Sequence, residues 1–297
     1  MFQNTKVMDP LENKIIVFDG TCYLCRNGAM LTAKYSSISE EKLCAYNDLS
    51  DELRSKVDPS RFQNEMALVD TTGNETLYGL EGILYVISSR FKFLKWIKKG
   101  SILFNISNFF YKTLALNRYI LFPIDSQIKC DCQPPLNRFY RLSFFSLCIL
   151  FSLLISSLLG YSIGKHLQVF KFGVELALPA TLFAVGTGWV VHILLSLLFL
   201  KGEQLYDYLG NLGTIMFVGV LLLIPGLAGA YLHAITYFPL MTLCIIVSCV
   251  IMTRMHNKRV RILGLNRAWA YSWFLLLQLS LILTLVFVLK NYEQWIS

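Results

Sequence analysis

Charged side chains are scarce in this sequence. Asp, Glu, Lys and Arg together make up 15% of the 297 residues, whereas hydrophobic residues make up 55%. In an ordinary soluble domain about a quarter of the residues are charged. The scarcity is greatest in the second half of the chain. The composition therefore excludes a wholly soluble globular protein and indicates a membrane component.

Five stretches after residue 141 contain no Asp, Glu, Lys or Arg at all. Four of them have at least 20 residues, which is enough for a helix to cross roughly 30 Å of hydrocarbon. The fourth in order has 18 residues and follows the third almost without a loop. Pro225 is expected to kink the third. The predicted membrane-spanning segments are 142–161, 176–200, 212–232, 235–252 and 269–289.

Basic residues are concentrated beside these stretches, although the net charge of +8 is also compatible with nucleic-acid binding. Lys and Arg accumulate on the cytoplasmic side of membrane proteins. We therefore predict an integral protein of the cell or inner membrane, with a cytoplasmic N-terminal domain, an external C-terminus and no nucleic-acid partner. The clusters are Lys129, Arg138 and Arg141, followed by Arg254, Lys258, Arg259, Arg261 and Arg267.

Several kinds of functional motif are also missing. The polar N-terminus lacks a secretory signal, so the first domain is expected to stay on the side where it is made. The four histidines are scattered, with no two spaced for one helix face, and we find no glycine-rich phosphate loop and no Ser-His-Asp arrangement. We therefore predict no bound cofactor and no metal. In a reducing compartment, the eight cysteines are not expected to form a disulfide framework.

Strand-like and helix-like patterns alternate in the first 90 residues, in the order β-α-β-α-β-β-α. This order predicts an α/β thioredoxin-like domain, followed by an all-α transmembrane bundle of about five helices. The predicted domain boundaries are 1–128 for the redox domain, 129–141 for a juxtamembrane junction and 142–297 for the transmembrane domain. Segment 91–128 is amphipathic and aromatic, and its one or two helices either cover the sheet or lie on the membrane surface.

Cys22 and Cys25 stand at the start of the first predicted helix, directly after the strand-like run KIIVF. Free backbone N–H groups and the helix dipole at such a position lower the pKa of a thiol. Cys22 is expected to be the more exposed, attacking thiol. Cys25, three residues further on, is expected to resolve the mixed disulfide. Two other interpretations stay open: a metal-ligating pair and two structural thiols.

The segment VFDGTCYLC, which contains Asp19, Cys22 and Cys25, resembles the D-G-x-C-x-x-C signature of the DCC family of thiol-disulfide oxidoreductases. The segments LYGLEGILYVIS and FYKTLALNRYIL are similar to later motifs of that family, and the resemblance covers roughly residues 13–122. It implies a thioredoxin-like fold and exchange by Cys22 and Cys25 with a protein or small-molecule disulfide or thiol. The membrane half is weakly similar to the five-span Yip family, through segments 181–225 and 263–275.

Asp19 has two interpretations. It is either a general base that takes the proton of Cys25, or the first residue of an Asx turn that presents Cys22. It is not expected to activate Cys22, because a nearby carboxylate raises the pKa of a thiol. One feature departs from thioredoxin-type folds: Met66, and not a proline, directly precedes the predicted third strand.

A second cysteine pair, Cys130 and Cys132, lies just before the first membrane segment. It is interpreted as a redox relay to the first pair, as part of a four-thiolate zinc site with that pair, or as two ordinary thiols. The overall prediction is a membrane-anchored thiol-disulfide oxidoreductase that reduces a partner disulfide. The alternative is a non-enzymatic membrane protein with a regulatory or zinc-binding N-terminal module.

Overall fold

The computed structural model describes residues 11–73, 75–123, 132–167, 174–229 and 234–296. The chain divides into two compact units, Met1–Tyr140 and Arg141–Ser297. A small mixed sheet lies near the N-terminus, and five long apolar helices follow it. The predicted succession of an α/β part and a helical membrane part is therefore confirmed.

A four-stranded sheet forms the centre of the first unit. Its strands are β1 (Lys14–Phe18), β2 (Leu43–Ala45), β3 (Ala67–Asp70) and β4 (Thr76–Tyr78), in the spatial order β2-β1-β3-β4. β1 runs parallel to β2 and antiparallel to β3. β3 and β4 form the antiparallel hairpin that the sequence predicts.

Both faces of the sheet are covered by apolar side chains. Ile16 and Leu68 pack on one face, and their chain neighbours Val17 and Val69 pack on the other. None of the four is more than 4% exposed. Since successive strand residues point to opposite faces, burial on both faces explains why β1 is continuously apolar.

In the described part of the first unit, six helices precede Pro123. Ala29 and Ala33 of the first helix and Val86 of the fourth pack against Ile16 and Leu68, so these two helices cover one face of the sheet. A short 3-10 turn at Lys92–Trp96 precedes the fifth helix. The helices are α1 (Tyr23–Lys34), α2 (Asp51–Ser55), α3 (Pro59–Phe62), α4 (Gly79–Ile87), α5 (Ile102–Leu116) and α6 (Arg118–Leu121).

The remaining helices include five that are long and apolar enough to cross a membrane, so the protein is an integral membrane protein. α8 packs against α12, and α9 packs against α11. A break after Leu221 separates α9 from α10, and Pro225 lies in the first turn of α10, in agreement with the predicted kink. These helices are α7 (Arg138–Leu167), α8 (Val174–Phe199), α9 (Gly202–Leu221), α10 (Ile224–Ala228), α11 (Ala234–Ile262) and α12 (Ala268–Ile296).

The third and fourth long helices extend well beyond the predicted segments. α9 begins at Gly202, ten residues before the expected start, and α11 continues ten residues past the expected end at 252. The polar side chains in these extensions find partners on neighbouring helices. Arg141 lies 3.0 Å from Asp207, and Arg259 Nη1 donates to Asn211 Oδ1 at 2.6 Å. Such pairing lets polar groups lie among membrane helices.

Two of the scattered histidines meet through a tyrosine. Tyr208 Oη lies 2.6 Å from His192 Nε2 and 2.9 Å from His256 Nε2. None of the three residues is more than 1% exposed. This chain of hydrogen bonds ties α8, α9 and α11 together. His256, which the sequence pattern assigns to a loop, therefore lies inside α11.

Candidate active site

The candidate site lies where β1 passes into α1. Cys22 N donates to the Asp19 carbonyl oxygen at 3.2 Å. Asp19 Oδ1 accepts from Thr21 N at 3.0 Å and from Thr21 Oγ1 at 2.7 Å. Asp19 thus forms the Asx turn. A Cβ at Gly20 would lie 2.8 Å from Ala45 Cβ, so the close approach to β2 requires glycine here.

Cys22 is the N-cap of α1, and Cys25 lies in the first turn of that helix. Cys22 Sγ accepts a hydrogen bond from Cys25 N at 3.4 Å, as a capping side chain does for a free N–H group. Both thiols are free. The two sulfurs and a carboxylate oxygen of Asp19 lie within 4.8 Å of one another. The structure thus brings together all three residues that the sequence suggests.

The exposure of the two cysteines is the reverse of the prediction. Cys22, expected to be the more exposed, is only 2% exposed, whereas Cys25 is half-buried. As the cap, Cys22 turns its sulfur back over the end of α1, towards the N–H of Cys25. Cys22 is therefore not the more accessible thiol, and its burial opposes the ionisation of its sulfur.

Residues 118–122, here called the covering segment, contact the chain on both sides of Cys22. Tyr119 Oη lies 3.3 Å from Thr21 Oγ1, and the rings of Phe122 and Tyr23 have their centroids 5.0 Å apart. Access to Cys22 from this direction requires the covering segment to move.

The two thiols differ in acidity. The pKa of Cys22 is lowered to about 7, chiefly because its sulfur accepts a hydrogen bond from the Cys25 thiol, with help from Cys25 N and the positive charge of Arg118. Burial and the Asp19 carboxylate act in the opposite direction. The bond to Cys22 and burial raise the pKa of Cys25. Cys22 is therefore the sulfur that ionises first.

Arg118 is a site residue that the sequence analysis missed. It is 2% exposed, and its Nη2 lies 3.6 Å from Asp19 Oδ2. Its guanidinium also donates to three backbone carbonyl oxygens: Ala115 at 3.0 Å, Gln63 at 2.9 Å and Cys132 at 2.5 Å. The quoted motif FYKTLALNRYIL contains Arg118. The motif does not predict that Arg118 lies beside Asp19.

Asp19 has further partners on the covering segment. Tyr119 Oη donates to Asp19 Oδ2 at 2.5 Å, while Oδ1 is held by Thr21. Both carboxylate oxygens are therefore engaged by hydrogen-bond donors. This arrangement favours the turn-forming role of Asp19 over proton abstraction from Cys25.

A cavity of about 280 Å³ lies beside the cysteine pair. Cys25 lines it, together with Asp19 and Arg118, and most of the other lining side chains are apolar. Met66, which directly precedes β3, lines it too. The remaining lining residues are Leu24, Gly28, Leu31, Thr32, Phe62, Asn64, Glu65, Ile83, Tyr111, Leu114 and Ala115.

Of the second cysteine pair, Cys132 lies among the residues that the structure describes. Cys132 is 2% exposed and packs in the apolar core with Val17 and Phe62. The cluster of metal-ligating atoms that contains Cys22 and Cys25 does not include it. Cys132 is therefore not a ligand of a zinc site with the first pair. Cys130 lies outside the described residues.

Comparison of the chain with protein-family models, with curated proteins and with solved structures gives no match.

Proposed function

We propose that the first unit is a thioredoxin-like domain of the DCC type and that the protein is a membrane-anchored thiol-disulfide oxidoreductase. The order β-α-β-α-α-β-β-α of its strands and α-helices, with two short helices between β2 and β3, supports this proposal, as does the location of Cys22 and Cys25 at the β1–α1 junction. A C-x-x-C pair at the junction of a strand and a helix is typical of a redox motif.

One observation carries the proposal: Cys22 Sγ caps α1, accepts from Cys25 and has a pKa of about 7. Near neutral pH a large fraction of Cys22 is then thiolate, which is the form that attacks a disulfide. The nucleophilicity of a thiolate falls as its pKa falls, so a pKa near the ambient pH gives both a large thiolate fraction and a strong nucleophile.

The reaction proceeds in two exchanges. The Cys22 thiolate attacks one sulfur of the partner disulfide, forms a mixed disulfide and expels the other partner sulfur as a thiolate. Cys25 then loses its proton to solvent and attacks Cys22 Sγ, which releases the second partner thiolate and leaves a Cys22–Cys25 disulfide. Two electrons pass from the cysteine pair to the partner. A thiol reductant of the compartment restores the dithiol.

The direction of exchange follows from the proposed orientation. With the first unit in the cytoplasm, the surrounding thiol pool is reducing, and the dithiol form of the pair is favoured. The protein then reduces partner disulfides. The cavity beside Cys25 provides an apolar contact surface for the partner, and movement of the covering segment gives the partner sulfur access to Cys22.

The test is a trapping experiment with the full-length chain in its membrane. Cys25→Ser removes the resolving thiol, so the mixed disulfide between Cys22 and its partner should accumulate. Mass spectrometry of non-reduced membranes should find an adduct on Cys22 that reductant releases. The matched control is Cys44→Ser, a half-buried strand thiol that should leave exchange unchanged. The double variant Cys22→Ser, Cys25→Ser should form no adduct, and absence of an adduct from Cys25→Ser itself contradicts the proposal.

A second candidate is a regulatory module that binds zinc, which the cluster of Asp19, Cys22 and Cys25 favours. Zinc accepts thiolate and carboxylate ligands. Arg118, 3.6 Å from Asp19, opposes it because the arginine already supplies positive charge there. Metal analysis of the purified protein separates the candidates: one equivalent of zinc, lost from Cys22→Ser, supports the module and contradicts a free redox pair.

A further inference from the structure

The surface of residues 91–110, here called the aromatic-basic surface, exposes large apolar side chains to an unusual degree. Trp96 is 88% exposed, Phe93 is 69% exposed and Ile102 is 79% exposed. Such a patch on a water-facing surface is unfavourable and marks a site of contact with another phase or another molecule.

The apolar side chains are held in place by ordered structure. Ser101 caps α5 by accepting from Phe104 N at 3.2 Å, and Gly100, with φ +88°, makes the turn that precedes it. From there, exposed apolar residues recur at every fourth position of α5, while Phe104 is buried. The helix therefore presents a continuous apolar stripe. Within the aromatic-basic surface the stripe consists of Ile102, Ile106 and Phe110, with Leu103 beside the first of them.

The same surface is positively charged. Residues 91–110 contain four lysines and no Asp or Glu. Lys95 and Lys98 are exposed, and no ion pair involves either of them among the described residues. Lys99 Nζ lies 2.9 Å from Glu81 Oε2. Exposed aromatic rings and exposed lysines therefore alternate along this stretch of the chain.

We propose that the aromatic-basic surface docks on the headgroup region of an anionic lipid bilayer. Trp and Phe favour the boundary between headgroups and acyl chains, and lysines are attracted to anionic lipids. Five helices of the same chain are long and apolar enough to cross a membrane, so every copy of the protein is in contact with lipid. This inference does not depend on the chemistry of Cys22 and Cys25.

The experiment uses the full-length protein in nanodiscs, with the emission of Trp96 obtained as the difference between the native protein and Trp96→Phe. Subtraction is needed because the chain has five tryptophans. The lipids are phosphatidylcholine alone or mixed with phosphatidylglycerol, brominated near the headgroup end of the acyl chains. We expect Trp96 to be quenched by the brominated lipid and shielded from aqueous iodide, most strongly with phosphatidylglycerol.

A matched pair of charge variants tests the role of the lysines. The double variant Lys95→Gln, Lys98→Gln should lower the ratio of molecules with the surface docked to molecules with it undocked by about tenfold or more. The reason is that each lysine near an anionic surface raises this ratio roughly fivefold. Arg26→Gln with Lys34→Gln removes two exposed charges from α1 and should leave the quenching unchanged.

Two results would overturn the proposal. If iodide quenches Trp96 equally in detergent and in both kinds of nanodisc, the surface stays in water. If Trp96 is shielded from iodide but not quenched by brominated lipid, a protein surface, such as a second copy of the chain, covers it instead of lipid.

Discussion

At the scale of single residues, a small number of neighbouring groups sets the pKa of Cys22 and so decides whether this thiol is reactive. The Cys22 sulfur receives hydrogen bonds from Cys25, and Arg118 supplies a buried positive charge. Asp19 opposes ionisation of Cys22 but fixes the turn and pairs with Arg118. The carboxylate therefore positions the site at some cost in thiol acidity.

Asp19→Asn is expected to move the ionisation of Cys22 to a pH below its present value near 7. The substitution removes a negative charge that raises the pKa of Cys22. The amide oxygen of Asn still accepts from Thr21 N, so the turn is kept. The measurement is the rate of Cys22 alkylation against pH, followed by peptide mass spectrometry.

The opposite charge change provides the control. Arg118→Met should raise the pKa of Cys22 because it removes a positive charge that lowers it. Should Asp19→Asn leave the alkylation midpoint unchanged while it slows release of the mixed disulfide, Asp19 acts as the general base of Cys25, and the turn-forming role is insufficient.

At the scale of elements, close backbone approach sets the packing of the first two membrane helices. Gly160 and Gly164 form a G-x-x-x-G pair on α7. A Cβ at Gly160 would lie 2.8 Å from Leu178 Cα, and one at Gly164 would lie 2.6 Å from Val174 Cα. Small residues at this spacing allow membrane helices to approach closely, so this pair fixes the contact of α7 with α8.

Gly164→Ala should destabilise the purified full-length protein by about 1–3 kcal/mol, because the added methyl group meets a backbone atom that cannot rotate away. Gly186→Ala on α8 is the matched control, since nothing lies within 4 Å of its added Cβ. Thermal unfolding of both variants in the same detergent measures the difference. Equal melting temperatures would show that α7 and α8 do not pack as described.

The same scale explains which elements were predictable. β1 and the β3–β4 hairpin are visible in the sequence because apolar runs and turn residues are local signals. The true lengths of α9 and α11 could not be predicted, because their polar ends have the composition of loops. These ends are stabilised by contacts between distant residues, Asp207 with Arg141 and Asn211 with Arg259.

At the scale of the whole molecule, we propose that charge sets the orientation of the chain in the membrane. The described residues include five helices long enough to cross a membrane, and basic clusters stand before the first and between the last two. With one crossing per helix, the proposed orientation has the N-terminal unit in the cytoplasm and the C-terminus outside. This orientation also supplies the reducing environment that the proposed reaction uses.

The orientation predicts which end of the chain can be labelled from outside. In intact cells an epitope tag on the C-terminus should react with an impermeant probe, and a tag on the N-terminus should react only after permeabilisation. An untagged protein gives the background. Labelling of both ends in intact cells would mean an even number of crossings, and labelling of the N-terminus alone would reverse the direction in which the thiol pool drives exchange.

The sequence by itself determined the membrane character, the sheet hairpin and the position of Cys22 and Cys25 at a strand–helix junction. All of these follow from hydrophobic periodicity and turn chemistry, which act between near neighbours. Only the tertiary structure decided that Arg118 and Tyr119 meet Asp19, that Cys22 is buried, and that His192 and His256 share Tyr208. These contacts join residues far apart in the chain, and their formation depends on how the packed helices and strands bring those residues together.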